Sequence, residues 1–346
     1  MHFKNVVIDS MAYALPSEVW TSEKIEESLL PLYNRLQLPK GRLEMMTGIR
    51  ERRHWEINCL PSDASIKAGE KLLQNNSINP NEIDVLIHAS VCRNRLEPAT
   101  AAYVHKGLKL SEKTQFFDLS NACLGVLNAM VVGASMIEAG TARSVLIVSG
   151  ENGRSLLDNT ISTLNNDTSL TRQSIKPYFA NLTIGSGAVA VLLRHSKDVC
   201  EPKPLFLGGI ACTDSNASRL CEGHGTSDGL VMQTDAPTLL NSGIQLAGHA
   251  WKQFKAHMCW EETTPSCIIT HQVGRQHQRK LYEALSLDMG KDFSTYSYLG
   301  NTGSVALPLS LCKANEEHRL QMGDKILLLG IGSGLSTLML GLIWQK

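Results

Sequence analysis

The chain has 346 residues, of which 43% are hydrophobic and 19% charged, and its 33 basic residues balance 33 acidic ones. This balance, with no basic block, argues against a nucleic-acid or other polyanion partner. The first residues lack the apolar core of a signal peptide, and no apolar run of about 18 residues predicts a membrane span. The length suits two packed units of roughly 170 residues each.

Short apolar runs in the first half predict a series of buried strands. They cover residues 84–90, 115–119, 144–149 and 187–193. A tight turn at residues 120–123 follows the second run and leads into a long apolar helix that ends near Ala139. Strands that alternate with helices in this way indicate βαβ units and a mainly parallel sheet.

The second half repeats this pattern in the same order. Strand-like runs recur at residues 266–270, 325–329 and 336–342, and the turn at 299–303 leads into a helix through Leu311. The duplication predicts an α/β protein with two similar sheets packed around shared helices. We predict two halves, residues 1–195 and 205–346, because the segment 195–204 between them is polar and contains prolines.

The stretch 152–176 lacks a strand pattern and is rich in Ser, Thr and Asn around scattered leucines. In an α/β protein we expect such an irregular insert to cover an active site or a subunit interface. The nine cysteines are an odd number without a Cys-x-x-Cys pair, which is typical of free thiols in a reducing cytoplasm. Cys212, Cys221 and His224 lack a fourth ligand at a plausible spacing, so we predict no metal site.

Cys123 lies in the strand-to-helix turn of the first half. The backbone N–H groups and the dipole at a helix N-terminus stabilise a thiolate, so this position predicts a lowered thiol pKa. The N–H of Cys123 could also point at the oxygen of a bound thioester. A buried structural cysteine is the alternative interpretation.

His271 and Asn301 are two further candidates, supplied by the second half. His271 follows the strand that corresponds to residues 84–90, and Asn301 lies in the turn that corresponds to the turn of Cys123. Both positions are at carboxyl ends of predicted parallel strands, where open α/β sheets gather their sites. A neutral imidazole and a carboxamide could polarise a thioester carbonyl and hold an enolate oxygen. Alternatively, His271 is an interior histidine and Asn301 fills a turn with unusual backbone angles.

Two other positions complete the candidate set. Glu97 could act as a base that removes a proton α to a thioester, although acidic residues are common at helix starts. The glycine-rich bend at residues 330–335 is not followed by the Gly-Lys-Ser/Thr of a phosphate loop. Its N–H groups near Ser333 could instead form an oxyanion hole with the N–H of Cys123.

These residues resemble the ketoacyl synthase III branch of the thiolase superfamily. Cys123, His271, Asn301, the terminal glycine-rich bend and the Thr-Gly-Ile-Arg-Glu-Arg-Arg run at 47–53 carry the resemblance, which covers essentially the whole chain. The segments around Glu97, Cys123, His271 and Asn301 look closest to OleA-type enzymes, which condense two long-chain acyl-CoA molecules head to head. The resemblance implies a duplicated thiolase-like fold, five-layered αβαβα with two mixed sheets, and a homodimer.

The resemblance also implies a role for each candidate. Cys123 matches the acylated nucleophile, and His271 and Asn301 match the pair that polarises the second thioester carbonyl. Ser333 matches a backbone donor of the oxyanion hole, and Glu97 matches a carboxylate that can reach the partner subunit's site. Acyl-CoA is then a substrate, and we expect no bound cofactor.

The implied reaction is a non-decarboxylative Claisen condensation of two acyl-CoA thioesters to a 2-alkyl-3-oxoalkanoate through an acyl-Cys intermediate. Typical ketoacyl synthase III enzymes carry a second site Asn three residues after the His, where this chain has Gly274. This departure argues against decarboxylation of a malonyl carrier protein. Two alternatives stay open: a synthase or acyltransferase that uses a carrier-protein substrate, and a non-catalytic partner that keeps the fold.

Overall fold

The computed structural model describes residues 1–226 and 229–345. Nine strands form one sheet, and two further strand pairs form small ribbons. The strands are β1 (Val6–Ala14), β2 (Glu18–Thr21), β3 (Glu51–His54), β4 (Val85–Ala89), β5 (Gln115–Leu119), β6 (Ser144–Glu151), β7 (Gly187–His195), β8 (Leu205–Thr213), β9 (Cys221–Thr226), β10 (Gly229–Thr234), β11 (Cys267–Thr270), β12 (Lys325–Gly332) and β13 (Ser336–Ile343).

The main sheet consists of two half-sheets with the same strand order. Its full order is β11-β12-β13-β8-β1-β7-β6-β4-β5. Counted outward from the centre, the strands of the first half-sheet are β1, β7, β6 and β4. Their counterparts in the second half-sheet, in the same order, are β8, β13, β12 and β11. The counterpart of β5 is reduced to an isolated bridge between Ile268 and Asp292. The half-sheets meet at the antiparallel pair Val7–Leu205, so they form one continuous sheet rather than two separate ones.

The sheet is mixed, and the prediction of a mainly parallel sheet is wrong. The pairs β4–β5, β4–β6 and β11–β12 are parallel, whereas the pairs from β6 through β7, β1, β8 and β13 to β12 are antiparallel. The bend at 330–335 joins β12 to β13 as a hairpin, a connection that antiparallel neighbours alone can use.

The helices of the described ranges either cover the faces of the half-sheets or pack among themselves in a separate cluster. They are α1 (Ser22–Ser28), α2 (Leu30–Leu36), α3 (Arg42–Thr47), α4 (Pro61–Asn75), α5 (Thr100–Gly107), α6 (Gly125–Glu138), α7 (Arg154–Asn166), α8 (Ala236–Met258), α9 (Arg275–Leu285), α10 (Tyr296–Leu299) and α11 (Ala306–Glu316). No helix in the described ranges is both long and apolar enough to cross a membrane.

Three hydrophobic clusters stack these elements into five layers. In the central cluster, Leu127 of α6 and Leu309 of α11 pack with residues of both half-sheets, among them Ile147 and Leu328. α4 and α5 cover the outer face of the first half-sheet, and α8 and α9 cover that of the second. Because α6 is buried between the two half-sheets, it is apolar on nearly every side. The expected αβαβα layering is confirmed.

The stretch 152–176 is more regular than the sequence predicts. α7 occupies much of it and buries Leu157, Thr160 and Leu164, which share one helical face. The two leucines of this face belong to a cluster with residues of α1, α2 and the 3-10 segment Lys176–Thr183, and the helix also contacts β10. Between the halves, β7 ends at His195 and β8 begins at Leu205, while the division at 1–195 and 205–346 stays a prediction.

Candidate active site

Cys123 lies in a strained turn between β5 and α6. The preceding residue, Ala122, has a φ of 44°, in the left-handed region that non-glycine residues seldom adopt. The N–H of Leu124 donates to the Asn121 carbonyl at 2.9 Å, and the N–H of Gly125 donates to the Ala122 carbonyl at 3.2 Å. These bonds close the turn and hold the half-buried thiol at the head of the helix.

The thiol of Cys123 is less acidic than its position in the sequence predicts. Its pKa is raised to about 12, by burial first and then by the charges of Glu151 and Cys221, while a hydrogen bond from the residue's own backbone opposes the increase. The expectation of a lowered pKa is therefore wrong, because burial and a nearby carboxylate outweigh the helix terminus. At neutral pH the resting side chain is a neutral thiol.

The loop after β11 carries His271 into the interior. Its N–H donates to the Leu329 carbonyl of β12 at 2.9 Å, and the residue is 5% exposed. Burial first, and then the charge of His277, lowers the pKa of His271 to about 3. Its Nδ1 is buried without a hydrogen-bond partner among the described residues. The imidazole is thus neutral at physiological pH, the form that the proposed carbonyl polarisation requires.

Asn301 is fixed in a turn that follows α10. Its N–H donates to the Thr183 carbonyl at 2.9 Å, and its carbonyl accepts the Gly185 N–H at 2.9 Å. Its side-chain Oδ1 accepts the Gly303 N–H at 3.0 Å, so the Nδ2 hydrogens are what the side chain offers to a ligand. Gly300 makes the turn possible: it has a φ of 68°, and a Cβ there would lie 2.6 Å from the Thr183 carbonyl oxygen.

A glutamine that the sequence analysis missed ties His271 to the Asn301 turn. Gln272 follows His271 directly and is 1% exposed. Its Oε1 accepts the N–H groups of Thr295 at 2.7 Å and Tyr296 at 3.0 Å, at the start of the short helix that precedes Asn301. The Gln272 side chain therefore couples the positions of the two predicted polar groups.

The hairpin that carries Ser333 packs against the nucleophile turn. A Cβ at Gly332 would lie 3.0 Å from the Cγ of Leu124 and 3.5 Å from its backbone nitrogen. Ser333 itself lies in the turn between β12 and β13 and is half-buried. The structure thus places the predicted oxyanion donor next to the segment that bears the thiol.

The Asn301 turn reaches the same point from another side. A Cβ at Gly125 would lie 3.5 Å from the Cβ of Ser304 and 3.5 Å from the backbone carbonyl of Ala89, at the end of β4. The segments that carry Cys123, Asn301 and Ser333 therefore converge. Their roles remain predictions.

Glu97 is exposed, whereas Cys123, Asn301 and Ser333 are half-buried. Its side chain is exposed on the loop between β4 and α5, and the neighbouring Leu96 is 90% exposed. The base of this loop is ordered, since the Asn94 side chain donates to the Ser62 hydroxyl at 2.8 Å. The loop therefore presents Glu97 and an apolar side chain outward.

Glu151 is the second residue that the sequence analysis missed. It ends β6, is 4% exposed and accepts hydrogen bonds from both sides of the site. Its place at the carboxyl end of a central strand is the signal that could have drawn attention to it. Among the described residues, Cys212, Cys221 and His224 included, no three His, Cys, Asp or Glu side chains are grouped in a way that could hold a metal ion.

Comparisons with known proteins agree with this architecture. Residues 117–203 match the family model described as 3-oxoacyl-acyl-carrier-protein (ACP) synthase III, and residues 259–344 match the model of its C-terminal part. The chain is 37% identical to an acyl-CoA:acyl-CoA alkyltransferase of Shewanella oneidensis, over 99% of this chain and 100% of that one. A beta-ketoacyl-ACP synthase III of Vibrio vulnificus is 27% identical, over 84% of this chain and 76% of that one.

Solved structures of OleA from Xanthomonas campestris are also similar. One of them superposes with a TM-score of 0.95 at 33% identity, covering 99% of this chain and 98% of that chain. Another, with bound lauric acid and lauroyl-CoA, has a TM-score of 0.94 at 33% identity and covers 99% and 100%. Solved forms of that enzyme include replacements of a cysteine, a glutamate and a histidine.

Proposed function

Because the chain belongs to the 3-oxoacyl-ACP synthase III family and to its OleA-type branch, we propose that it joins two acyl-CoA thioesters head to head. The reaction is a Claisen condensation that releases no carbon dioxide. One observation of the site carries this proposal: the half-buried nucleophile turn converges with the turn of Asn301, whose Nδ2 hydrogens are available to a ligand. Such donors stabilise an enolate or a tetrahedral oxyanion.

In the first half-reaction, the Cys123 sulfur attacks the thioester carbonyl of one acyl-CoA. The C–S bond to CoA breaks, and the thiol proton of Cys123 ends on the departing CoA sulfur. The N–H groups of Cys123 and Ser333 hold the transient oxyanion. Because the pKa of the Cys123 thiol is raised to about 12, proton loss accompanies the attack instead of preceding it.

In the second half-reaction, a second acyl-CoA loses an α proton to Glu97. Neutral His271 and the Nδ2 group of Asn301 hold the resulting enolate oxygen. The α carbon attacks the acyl carbonyl on Cys123, a carbon–carbon bond forms, and the C–S bond to Cys123 breaks. The Cys123 thiolate takes up the proton that Glu97 removed, and the product is a 2-alkyl-3-oxoacyl-CoA thioester. Hydrolysis of that thioester by water releases the second CoA and gives the free acid.

The exposure of Glu97 supports a homodimer in which each subunit supplies this carboxylate to the other. Glu97 is exposed in its own subunit, beside Leu96, which is 90% exposed. Strand β5 lies at the edge of the sheet, and Phe116 on it is 42% exposed. An unpaired edge with apolar side chains is the kind of surface that a second copy covers.

A carrier-protein-dependent synthase or acyltransferase is the second candidate. The description of both family models as 3-oxoacyl-ACP synthase III supports it. In that reaction, Cys123 would pass its acyl group to another acceptor.

Mass spectrometry of the products formed from myristoyl-CoA alone tests the proposal. We expect a 2-alkyl-3-oxo acid, or the ketone that its decarboxylation yields. An acyl mass on Cys123 without a condensed product would contradict the proposed function. It would favour the carrier-protein-dependent candidate, which malonyl carrier protein, added as the second substrate, would then test.

A further inference from the structure

We propose that Glu151 is a positioning residue that fixes the Asn301 turn and the base of the Glu97 loop in one arrangement. This inference rests on the proposed condensation, in which both segments act on the second acyl-CoA. Glu151 itself needs no contact with substrate for this role.

The contacts of Glu151 come from two distant parts of the chain. Its Oε1 accepts the Val91 N–H at 2.9 Å, and its Oε2 accepts the Cys92 N–H at 3.2 Å. Its Oε1 also accepts the Ser304 N–H at 3.2 Å and the Ser304 hydroxyl. Burial of a carboxylate is costly unless donors replace its water, and these four donors do so.

On one side, Glu151 determines where the Asn301 carboxamide lies. Asn301 Oδ1 is held by the Gly303 N–H, and the next N–H in the chain, that of Ser304, is bound by Glu151. A Cβ at Gly303 would lie 3.3 Å from the Glu151 carboxyl carbon, so the turn rests directly on this side chain. Movement of Ser304 would therefore release the Asn301 amide from its orientation.

On the other side, Glu151 fastens the loop that presents Glu97. Val91 and Cys92 are the second and third residues after the end of β4, and their N–H groups both donate to the carboxylate. Trp55 also holds Glu151 in place, because its indole N–H donates to the Glu151 backbone carbonyl at 3.0 Å. One buried side chain thus sets the spacing between the predicted enolate donor and the loop that carries the predicted base.

The same carboxylate acts electrostatically on the nucleophile. After burial, its negative charge is the next cause of the raised pKa of Cys123. Removal of the charge should therefore make the thiol more acidic, while loss of the hydrogen bonds should disturb the Asn301 turn. A general loss of structure would also expose the thiol and speed its alkylation, so a variant that keeps the charge of Glu151 and loses one of its hydrogen bonds is needed to separate positioning from unfolding.

Glu151→Gln tests the inference, with kcat for condensation and the pH profile of Cys123 alkylation by iodoacetamide as readouts. Glutamine presents an NH₂ group where an oxygen now accepts N–H donors, so we expect kcat to fall about 10- to 100-fold. Alkylation of Cys123, followed by peptide mass spectrometry, should become faster at each pH between about 7 and 10, because the thiol pKa falls.

Asp84→Asn is the matched control. The Asp84 carboxylate accepts the N–H groups of Arg143 at 2.8 Å and Ser144 at 3.1 Å, at the opposite end of β6. It lies about 23 Å from Glu151 along the strand. We expect this variant to keep both readouts at the wild-type level.

Ser304→Ala provides a second variant should Glu151→Gln fail to fold. It removes one donor to Glu151 and keeps the charge, so kcat should fall severalfold while the alkylation profile stays unchanged. Unchanged kcat in both variants, or slower alkylation together with slower condensation in Glu151→Gln, would overturn the inference. If the wild-type enzyme forms no condensed product, the proposed function fails separately, and the alkylation profile still reports the electrostatic effect.

Discussion

Cys123 combines two properties that act on its reactivity in opposite directions. The turn around Ala122 holds the thiol at the head of α6, next to the hairpin that carries Ser333. Burial and the charge of Glu151 nevertheless raise its pKa to about 12. Oxidants and alkylating agents attack the thiolate, so a neutral resting thiol is protected from them. When Cys123 attacks a bound thioester, the N–H groups stabilise the oxyanion that forms. They therefore lower the barrier for acylation of Cys123.

Replacement of Cys123 tests its assignment as the nucleophile. Cys123→Ser should abolish self-acylation by labelled acyl-CoA, since a serine hydroxyl has no comparable nucleophilicity without a strong base. The label is measured by intact mass and by peptide mapping. Cys259→Ser, which removes an exposed thiol at the end of α8, should label like the wild type. Label that persists on the Cys123→Ser protein would contradict the assignment.

The residues that the sequence predicts differ in kind from those it misses. Cys123, His271 and Asn301 could be found because the internal repeat places each at a strand end or turn with a counterpart. Glu151 could not be found this way, because its donors lie about 60 and 153 residues away along the chain. The predicted direction of the Cys123 pKa is wrong because burial, and after it the charge of a carboxylate distant in the chain, outweighs the local helix terminus.

At the scale of elements, the repeat predicts positions well but not strand directions. The run predicted at 84–90 is β4 at Val85–Ala89, and the run at 144–149 continues as β6 to Glu151. Their apolar composition shows that these strands are buried, but it does not indicate whether their neighbours run parallel or antiparallel. β13 pairs with β12 through a hairpin. The other antiparallel pairs of β7 and β13 join strands that are far apart in the chain, and a short sequence pattern does not predict such pairing.

The stretch 152–176 shows a second limit at this scale. Its Ser, Thr and Asn content indicates irregular structure, because these residues are weak helix formers. Burial of one face, with Leu157 and Leu164 packed beside α2, overrides this preference and stabilises α7. Tertiary packing decides the structure of this segment.

The loop that carries Glu97 is the element whose role a mixed dimer can reveal. We predict that a mixture of the Cys123→Ala and Glu97→Gln subunits, each inactive alone, regains activity when the two are coexpressed. In a mixed dimer, the Cys123→Ala subunit would supply its intact Glu97 to the partner that retains Cys123. Random assembly should give roughly a quarter of the wild-type condensation rate.

Product formation per milligram of protein measures this recovery. The control mixes Cys123→Ala with Cys123→Ser, which leaves every site without its thiol and should stay inactive. If the mixed dimers are formed but make no product, Glu97 serves its own subunit or has no catalytic role.

At the scale of the whole molecule, the two halves share one hydrophobic core. α6 and α11 pack with both half-sheets, so neither half can retain its core without the other.

Burial lowers the pKa of His54 and His271 to about 3 and that of His277 to about 4. Burial raises the pKa of Cys267 and Cys312 to about 12, as it does for Cys123.

These shifts predict a loss of stability in acid. The three histidines stay neutral in the folded chain, whereas the unfolded chain takes up protons as the pH falls below about 6.5. The free energy of unfolding therefore does not vary with pH through these histidines above that pH. Below it, the free energy of unfolding falls by about 1.4 kcal/mol per pH unit for each histidine, until the pH reaches the pKa of that histidine in the folded chain. Urea unfolding midpoints should fall clearly between pH 8 and pH 5. His277→Asn should make the fall shallower, whereas replacement of the exposed His318 by Asn should leave it unchanged. Midpoints that do not vary over this range would contradict the inference that burial lowers the pKa of these imidazoles.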